Sequence, residues 1–522
     1  MALASCAILV STIRSNASPI SGIVTITLLA VAGRVYAYLF APSMMRLDPD
    51  AHAVRSRVII ENGDLTGLPT GFYSAAPGFN LIGALSSLVT GLQVDSAFVI
   101  FPIAVGVSLP LSAGALAARV AGDNSASLVA AAVVTVGAPT FLFGIAPIPI
   151  ALAAIFLSAI VLVLVISPDN RIVWQAGVVF ALLSLAGSLT HKIPLFLFAL
   201  IGLVSVGYTA LTRLSTPEVS LRKMVVATTL AIVVLGVQWV YITEYFQTAT
   251  ILIYDVFGLA EVPTAYTPVK PAEATPIDPP LVTKLRNLSY FFITVGTGAV
   301  AGLLLFCQYT RENVRVLQAA AFVTVGVTLP GIVGAGPGFQ RTYVYASAFV
   351  AALIGIGIVH FARSTRRWHR SVAGIVLLAI LIANPFAVVT MPDFPGTPRE
   401  YLSTQEVEGK HFGNEYVEDV VYTDLYYGDE VVDFERAAGR GDQPQETVPN
   451  PTYDQGLLSK ELKNNTLLEH GYRYISIRTN VEVWRLKGGR YRLLWNPERT
   501  LDSSRQYNRF YSNGGVAIYN LR

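Results

Sequence analysis

Residues 147–166, PIPIALAAIFLSAIVLVLVI, run for twenty positions without a charge, and Ser158 is their one polar side chain. A helix rises 1.5 Å per residue, so this stretch is about 30 Å long, the thickness of bilayer hydrocarbon. A helix on a soluble core keeps a polar side; this one has none and reads as a membrane span. Comparable stretches lie near 20–41, 96–118, 125–143, 172–190, 193–212, 223–243, 288–309, 316–335, 342–362 and 371–391, giving eleven expected spans.

The composition splits where the last of these ends. The chain is 53% hydrophobic and 14% charged, against about 25% charged in soluble proteins. Residues 1–392 carry 21 basic and 14 acidic side chains, and residues 393–522 carry 16 and 20. We therefore expect a transmembrane unit, 1–392, with a functional first outer loop at 42–95, and a water-soluble unit, 393–522. In the latter, VEDVVYTDLYY, YRYISIR, VEVWRL, RYRLLW and GGVAIYN read as strands, and SKELKNNTLLEHG as a helix with a Gly stop. The fold class is a polytopic α-helical membrane protein of about eleven spans with a small C-terminal extracytoplasmic α/β domain. The net charge of +3 gives no sign of a nucleic-acid partner. Cys6 and Cys307 both lie in apolar segments, so no disulfide framework is expected. The first helix reads as an uncleaved signal anchor.

Basic residues mark cytoplasmic helix ends. Arg363, Arg366, Arg367 and Arg370 place the loop before the last span inside, which puts residues 393–522 outside. Counting back puts Arg311 and Arg315, Arg213, Arg222 and Lys223, Arg171 and Arg119 inside as well. Residues 44–76, 190–193, 244–287 and 334–341 then lie outside, the third of these an extended, proline-rich loop. The count closes only if Gly78–Leu92 does not cross. At 15 residues it is too short to do so, and it is expected to lie along the interface or re-enter. The location is a multi-pass cell-membrane protein.

The first outer loop reads MMRLDPDAHAVRSRVIIENGDLTGLPTGFYSAAPGFN, residues 44–80. Asp48 before Pro49 fits a helix start, and Gly63 fits its stop. Asp48, His52, Arg55 and Ile59 then share one face. A carboxylate, an imidazole and a guanidinium at a membrane surface can deprotonate a hydroxyl and bind an anionic leaving group. The alternative is an Asp that only caps the helix and arginines that meet lipid headgroups. Arg34, inside the first span, is expected to snorkel to the outer interface, or else to pair with a phosphate or Asp48. His191-Lys192 and Arg341 are basic residues on the outer side, and an anionic phosphate ligand accounts for them. The Gly-rich GAGPGFQ before Arg341 can cradle an anion. Glu244, Tyr245 and Asp255 stand where a sugar contact is possible.

This order of features resembles the GT-C superfamily of membrane glycosyltransferases, which use polyprenyl- or dolichyl-phosphate-linked sugars. An acidic residue in the first outer loop stands upstream of a Gly-Asp pair, as Asp48 stands before Gly63-Asp64. The family's Tyr-Pro-Pro-like turn is similar to Tyr73-Ser-Ala-Ala-Pro77-Gly, its following helix lies along the membrane, and its late Arg-Tyr resembles Arg341-Thr-Tyr343. FYSNGGVAIYN looks like the closing strand of archaeal members. The sequence departs from the family in having Gly78 for the second Pro and Asp48-Pro49-Asp50 for adjacent acids. Leu494-Trp495-Asn496-Pro497 does not match a WWDxG motif, which favours a single-sugar, protein-mannosyltransferase-like enzyme over an oligosaccharyltransferase.

The resemblance implies an inverting glycosyltransferase that moves one sugar from a polyprenyl phosphate to an acceptor hydroxyl on the outer face. Asp48 or Asp50 is the expected base. His52, Arg55, Tyr73, Lys192, Arg341 and Tyr343 are the expected substrate-binding residues, with Arg341 first and Lys192 second on the phosphate. A divalent cation, if one is used, falls to Asp48 and Asp50. The expected partners are the lipid-linked sugar, a glycan or protein acceptor, and membrane lipid. The alternative is a transporter or flippase of lipid-linked sugars, but those place sites at the midplane of repeated halves. No repeat is visible here, and the charges gather at the outer surface.

Overall fold

Each expected apolar stretch coincides with a helix in the computed structural model. It describes residues 19–44, 48–68, 71–166, 173–212, 221–243, 245–247, 250, 273–276, 281–308, 312–332, 339–390, 401–417, 419–432, 453–454, 458–479, 481–486 and 489–522. The helices are α1 (Pro19–Phe40), α2 (Asp48–Asn62), α3 (Gly78–Thr90), α4 (Ile100–Ala121), α5 (Asn124–Val136), α6 (Ala138–Ile145), α7 (Pro149–Ile166) and α8 (Val173–Thr190). They continue as α9 (Pro194–Thr212), α10 (Leu221–Gly236), α11 (Leu281–Gln308), α12 (Glu312–Ile332), α13 (Phe339–Tyr343), α14 (Ser347–Ala362), α15 (Arg367–Thr390) and α16 (Thr404–Tyr416). Among the described residues, Pro19–Phe40, Val94–Ala121, Pro149–Ile166 and Arg222–Ile242 are each long and apolar enough to cross a membrane, and α5 with α6 makes a fifth if counted as one span.

α5 sits at the centre of the bundle. Every residue from Ala126 to Val136 is buried, which its alanines allow by letting neighbouring backbones come close. Gly355 of α14 meets it so tightly that a Cβ there would lie 2.5 Å from the Ala126 carbonyl oxygen. The stretch read as one span, 125–143, is instead bent by 59° between α5 and α6. Hydropathy does not register such a break. Two long-range partners hold it: Asn384 Oδ1 accepts from the Ala138 amide at 3.1 Å, and the Arg34 guanidinium donates to the Thr140 carbonyl at 3.4 Å. Arg34 is fully buried, also donating to Ala30 O at 3.0 Å. The snorkelling expectation for it is therefore corrected: two backbone carbonyls accept from the guanidinium inside the bundle, without an exit to the interface.

α3 has 13 residues, about 20 Å of helix and short of the roughly 30 Å of hydrocarbon. It buries Phe79, Asn80, Gly83, Ala84 and Ser87 and turns Leu85, Leu88 and Val89 outward, with Leu92 exposed just past its end. Those three follow the i, i+3, i+4 spacing of one helical face.

The C-terminal part holds a five-stranded mixed sheet of order β3-β2-β4-β8-β7 and a three-stranded antiparallel sheet of order β1-β6-β5. The strands are β1 (Ala274–Pro276), β2 (Val421–Tyr422), β3 (Tyr453–Asp454), β4 (Tyr474–Arg478), β5 (Trp484–Leu486), β6 (Gly489–Leu493), β7 (Tyr507–Ser512) and β8 (Val516–Leu521). β1 belongs to the proline-rich loop between α10 and α11 and pairs with β6, which an extended segment is free to do. α16 opens with a capping box between Ser403 and Glu406. Arg478 is buried beneath the sheet and bonds both oxygens of Asp424, at 2.7 and 2.8 Å.

Candidate active site

α2 carries the site, and three separate sets of contacts fix it. Its C-terminal stop is Gly63, whose φ of +69° is the left-handed conformation glycine adopts freely; Asp64 Oδ1 then accepts from the Thr66 amide at 2.7 Å to close the turn. On the side of α3, the Ser56 hydroxyl donates to the Asn80 carbonyl at 2.9 Å, and His52 Nδ1 donates to Asn80 Oδ1 at 2.9 Å. Gly83 makes this approach possible, since a Cβ there would fall 2.8 Å from the Ser56 hydroxyl. On the side of the C-terminal sheets, Asp50 Oδ2 accepts from the Val431 amide at 3.1 Å, and Val431 packs on Val54 and Val58.

The remaining face of α2 looks onto a cluster of cations. Asp48 Oδ2 receives Arg341 Nη2 at 2.9 Å, with both side chains about half exposed. The Arg55 guanidinium lies 5.8 Å from the Tyr73 ring centroid, and His52 meets the edge of the same ring at 4.7 Å. Lys192 Nζ sits 4.2 Å from the Tyr245 ring, and its carbonyl accepts from the Trp239 indole at 3.1 Å. The Tyr345 hydroxyl donates to His191 Nδ1 at 3.0 Å.

The electrostatics tie these groups into one site. Burial first, and Arg341 second, hold the Lys192 ammonium below its ordinary range. Burial lowers Arg55, while Tyr73 and Asp48 oppose it. Burial, then Arg55, push the His52 imidazole down to about 3, although its bond to Asn80 works the other way. His191 is pushed well below its ordinary value by burial, then by Lys192 and Arg341. Both imidazoles are therefore neutral at physiological pH. Burial pushes the Tyr73 phenol up. Three cations, Arg55, Lys192 and Arg341, thus share the surroundings of one carboxylate, Asp48, among the described residues. Such a group is suited to an anion.

Six of the eight expected residues, Asp48, His52, Arg55, Tyr73, Lys192 and Arg341, meet here. The other two do not. Asp50 is two positions from Asp48, about 200° round the helix, and is fully buried toward the C-terminal sheets. It lies against Glu430, whose carboxyl is pushed well up by burial and then by Asp50. Tyr343 is buried against Phe291, with ring centroids 5.3 Å apart. Tyr345 takes its place in the cluster: α13 ends at Tyr343, and the turn that follows carries the Tyr345 hydroxyl to His191. Asn80, Trp239 and Tyr345 were not singled out from the sequence. Asp48, a candidate helix cap, bonds Arg341 rather than the amides of its own helix among the described residues. Glu244, Asp255 and most of the GAGPGFQ loop lie outside the described residues.

The two aspartates face apart, and Asp48 already bonds a guanidinium, so they do not form a two-carboxylate cation site. Among the described residues no group of three or more His, Cys, Asp or Glu side chains is placed to hold a metal.

No protein-family model and no curated protein matches the chain. Solved structures do. The oligosaccharyltransferase of Archaeoglobus fulgidus, in its apo form, aligns over 90% of this chain and 70% of its own, with 11% identity and a TM-score of 0.55. ArnT from Cupriavidus metallidurans aligns over 96% of this chain and 98% of its own, with 12% identity and a TM-score of 0.50. The chain has the GT-C fold. Among the similar GT-C structures are the archaeal protein, AglB, in complex with an inhibitory peptide and a dolichol phosphate (TM-score 0.53, 11% identity, 88% of this chain and 69% of that one) and ArnT bound to undecaprenyl phosphate (TM-score 0.50, 12% identity, 96% and 98%). At such identities the likeness is one of fold. It covers the bundle and the C-terminal sheets together.

Proposed function

We propose that this protein is an inverting glycosyltransferase that moves a single sugar from a polyprenyl-phosphate donor to an acceptor hydroxyl at the outer membrane face. The observation that carries the reading is the ion pair of Asp48 with Arg341 inside a cluster of excess positive charge. The donor phosphate takes Arg341 and Lys192, which draws Arg341 away from Asp48. Asp48 then removes the acceptor hydroxyl proton as the oxygen attacks the anomeric carbon, and the bond from that carbon to the phosphate oxygen breaks with inversion. The two cations hold the charge that collects on the departing phosphate. His52 and Arg55 brace Tyr73 as a platform for the substrate. Asp50 holds α2 to the C-terminal unit and is not the base. The similar structures hold dolichol phosphate and undecaprenyl phosphate, the kind of carrier such a donor leaves behind, and this supports the donor class.

In this reading the chain is a cell-membrane protein with a transmembrane unit, 1–392, crossing eleven times, and an extracytoplasmic unit, 393–522. α3 lies in the outer interface with Leu85, Leu88, Val89 and Leu92 toward lipid. Purified protein with a panel of polyprenyl-phosphate sugars and hydroxyl acceptors tests the function. Release of free polyprenyl phosphate coupled to a new glycosidic bond is the expected result, and movement of intact lipid-linked sugar between leaflets without that bond would make it a flippase.

A further inference from the structure

Away from the cation cluster, the C-terminal sheets enclose a second concavity of about 740 Å³ between the end of β4, strands β5 and β6, and the segment after β6. That is within the range of ligand sites, roughly 300–1,000 Å³. Two of the chain's five tryptophans, Trp484 and Trp495, line it, together with Arg478, Arg492, Glu482 and Glu498. Trp484 is buried, with the Arg478 guanidinium 5.7 Å from its ring centroid. The Trp495 indole N–H donates to the Leu462 carbonyl at 3.0 Å, so its polar edge is spent inward and the ring is a fixed wall. The charges are already balanced. Arg478 is held by Asp424, Arg492 lies 3.5 Å from Glu482, and Glu498 lies 3.0 Å from Arg509. Among the described residues that line it, an anionic ligand finds no surplus cation, and a lipid chain finds too few apolar walls.

The ligand that fits is neutral, has an apolar C–H face for the rigid Trp495 ring, and has many hydroxyls for a rim of carboxylates and guanidiniums. We propose that this cleft is a saccharide-binding site, and that it anchors a glycan acceptor of the transfer reaction. The acceptor role rests on the transferase reading above; the saccharide site does not.

The test uses the full chain in lipid nanodiscs, because maltoside detergents are themselves saccharides. Mannotriose, maltotriose and cellotriose are titrated without lipid donor, with calorimetry and tryptophan fluorescence as readouts. At least one is expected to bind saturably. Trp495→Ala should weaken that binding about tenfold or more, and Arg492→Ala, an exposed rim change that leaves the sheet core alone, should weaken it severalfold. Asp48→Asn should leave it unchanged. The site is overturned if no trisaccharide saturates below about 10 mM. It is also overturned if binding survives both cleft variants, or if a neutral peptide binds with the same variant sensitivity and the sugars do not. Transfer is assayed on the same preparation. Transfer without trisaccharide binding removes the cleft and keeps the enzyme, and binding without transfer keeps the cleft and removes its acceptor role.

Discussion

Replacing Asp48 by Asn separates chemistry from stability, and the structure sets the size of each effect. The Asp48–Arg341 pair is about half exposed on both sides, with a single contact at 2.9 Å. Exposed pairs of this kind contribute about 0.2–1 kcal/mol, so its loss should move the unfolding midpoint little. A general base is different. An amide takes up no proton at neutral pH, and such a base contributes roughly 10²–10⁴-fold, or about 2.7–5.4 kcal/mol of barrier. Asp48→Asn should therefore fold and insert like the wild type, still bind donor, and lose at least about a hundredfold in transfer. Asp50→Asn should show the reverse pattern. Its oxygen can still accept from the Val431 amide, but a buried acid beside Glu430 is lost. Thermal stability should drop while transfer per folded molecule stays within a few fold. The assay is donor-saturated transfer on purified protein, normalised to the folded fraction. Asp48→Asn keeping more than about a tenth of wild-type transfer would refute the base assignment, and so would loss of transfer in a well-folded Asp50→Asn.

Four further outcomes follow from the same geometry. Arg341→Ala should raise the donor concentration needed for half-maximal transfer, with Arg341→Lys recovering only part because a lysine cannot make a two-pronged contact; unchanged donor dependence would remove Arg341 from the phosphate site. His52 has its folded-state value depressed to about 3, so the stability it provides is complete above about 6.5 and lost as the pH falls toward 3. Between pH 6.5 and 5 the unfolding free energy should decline by up to about 1.4 kcal/mol per pH unit from this residue, and His52→Gln should flatten that slope. Glu430 has the opposite sign: its value is raised from 4.5, so its contribution is full below about 4.5 and fades as the pH rises from there toward the raised value, and Glu430→Gln should flatten that decline in a thermal-unfolding series. Single cysteines at positions 74 and 95 should both react with an impermeant reagent from outside, and protection of position 95 would mean that α3 crosses.

What the sequence disclosed and what it hid divide along physical lines. A twenty-residue uncharged window reports the medium around it, so the helical stretches of the bundle were readable one by one. The bend between α5 and α6 was not, because it depends on Asn384 and Arg34 reaching a backbone amide and a carbonyl from distant helices. Arg34 was misjudged for the same reason, since a hydropathy scale records the cost of a charge in lipid and nothing of its partner. On α2, helical spacing put Asp48, His52 and Arg55 on one face, and they meet around Tyr73 and Arg341. The separate fate of Asp50 was only half visible. Its angle round the helix was legible, but its partner Val431 is 381 residues away. Tyr343 was chosen over Tyr345 by likeness to a short motif; α13 ends at Tyr343, and the turn after it, which no periodicity announces, brings Tyr345 to His191.

If Asp48 is the base, as proposed, the split between Asp48 and Asp50 also explains how it is positioned well enough to act. A loop carboxylate free to sample many rotamers loses most of its value, because transfer needs reacting atoms within about 3–3.5 Å and correctly aligned. α2 removes that freedom by being held on three sides: through His52 and Ser56 on Asn80, through Asp50 and Val54 on Val431, and through Asp48 itself on Arg341. The first two contacts are buried, so screening by salt affects them little. The third is exposed and ionic, and it is the one an incoming phosphate can exchange. A helix clamped by buried contacts and released at a single charged one puts the carboxylate in place before the donor arrives. The change that donor binding has to make is then confined to one arginine side chain.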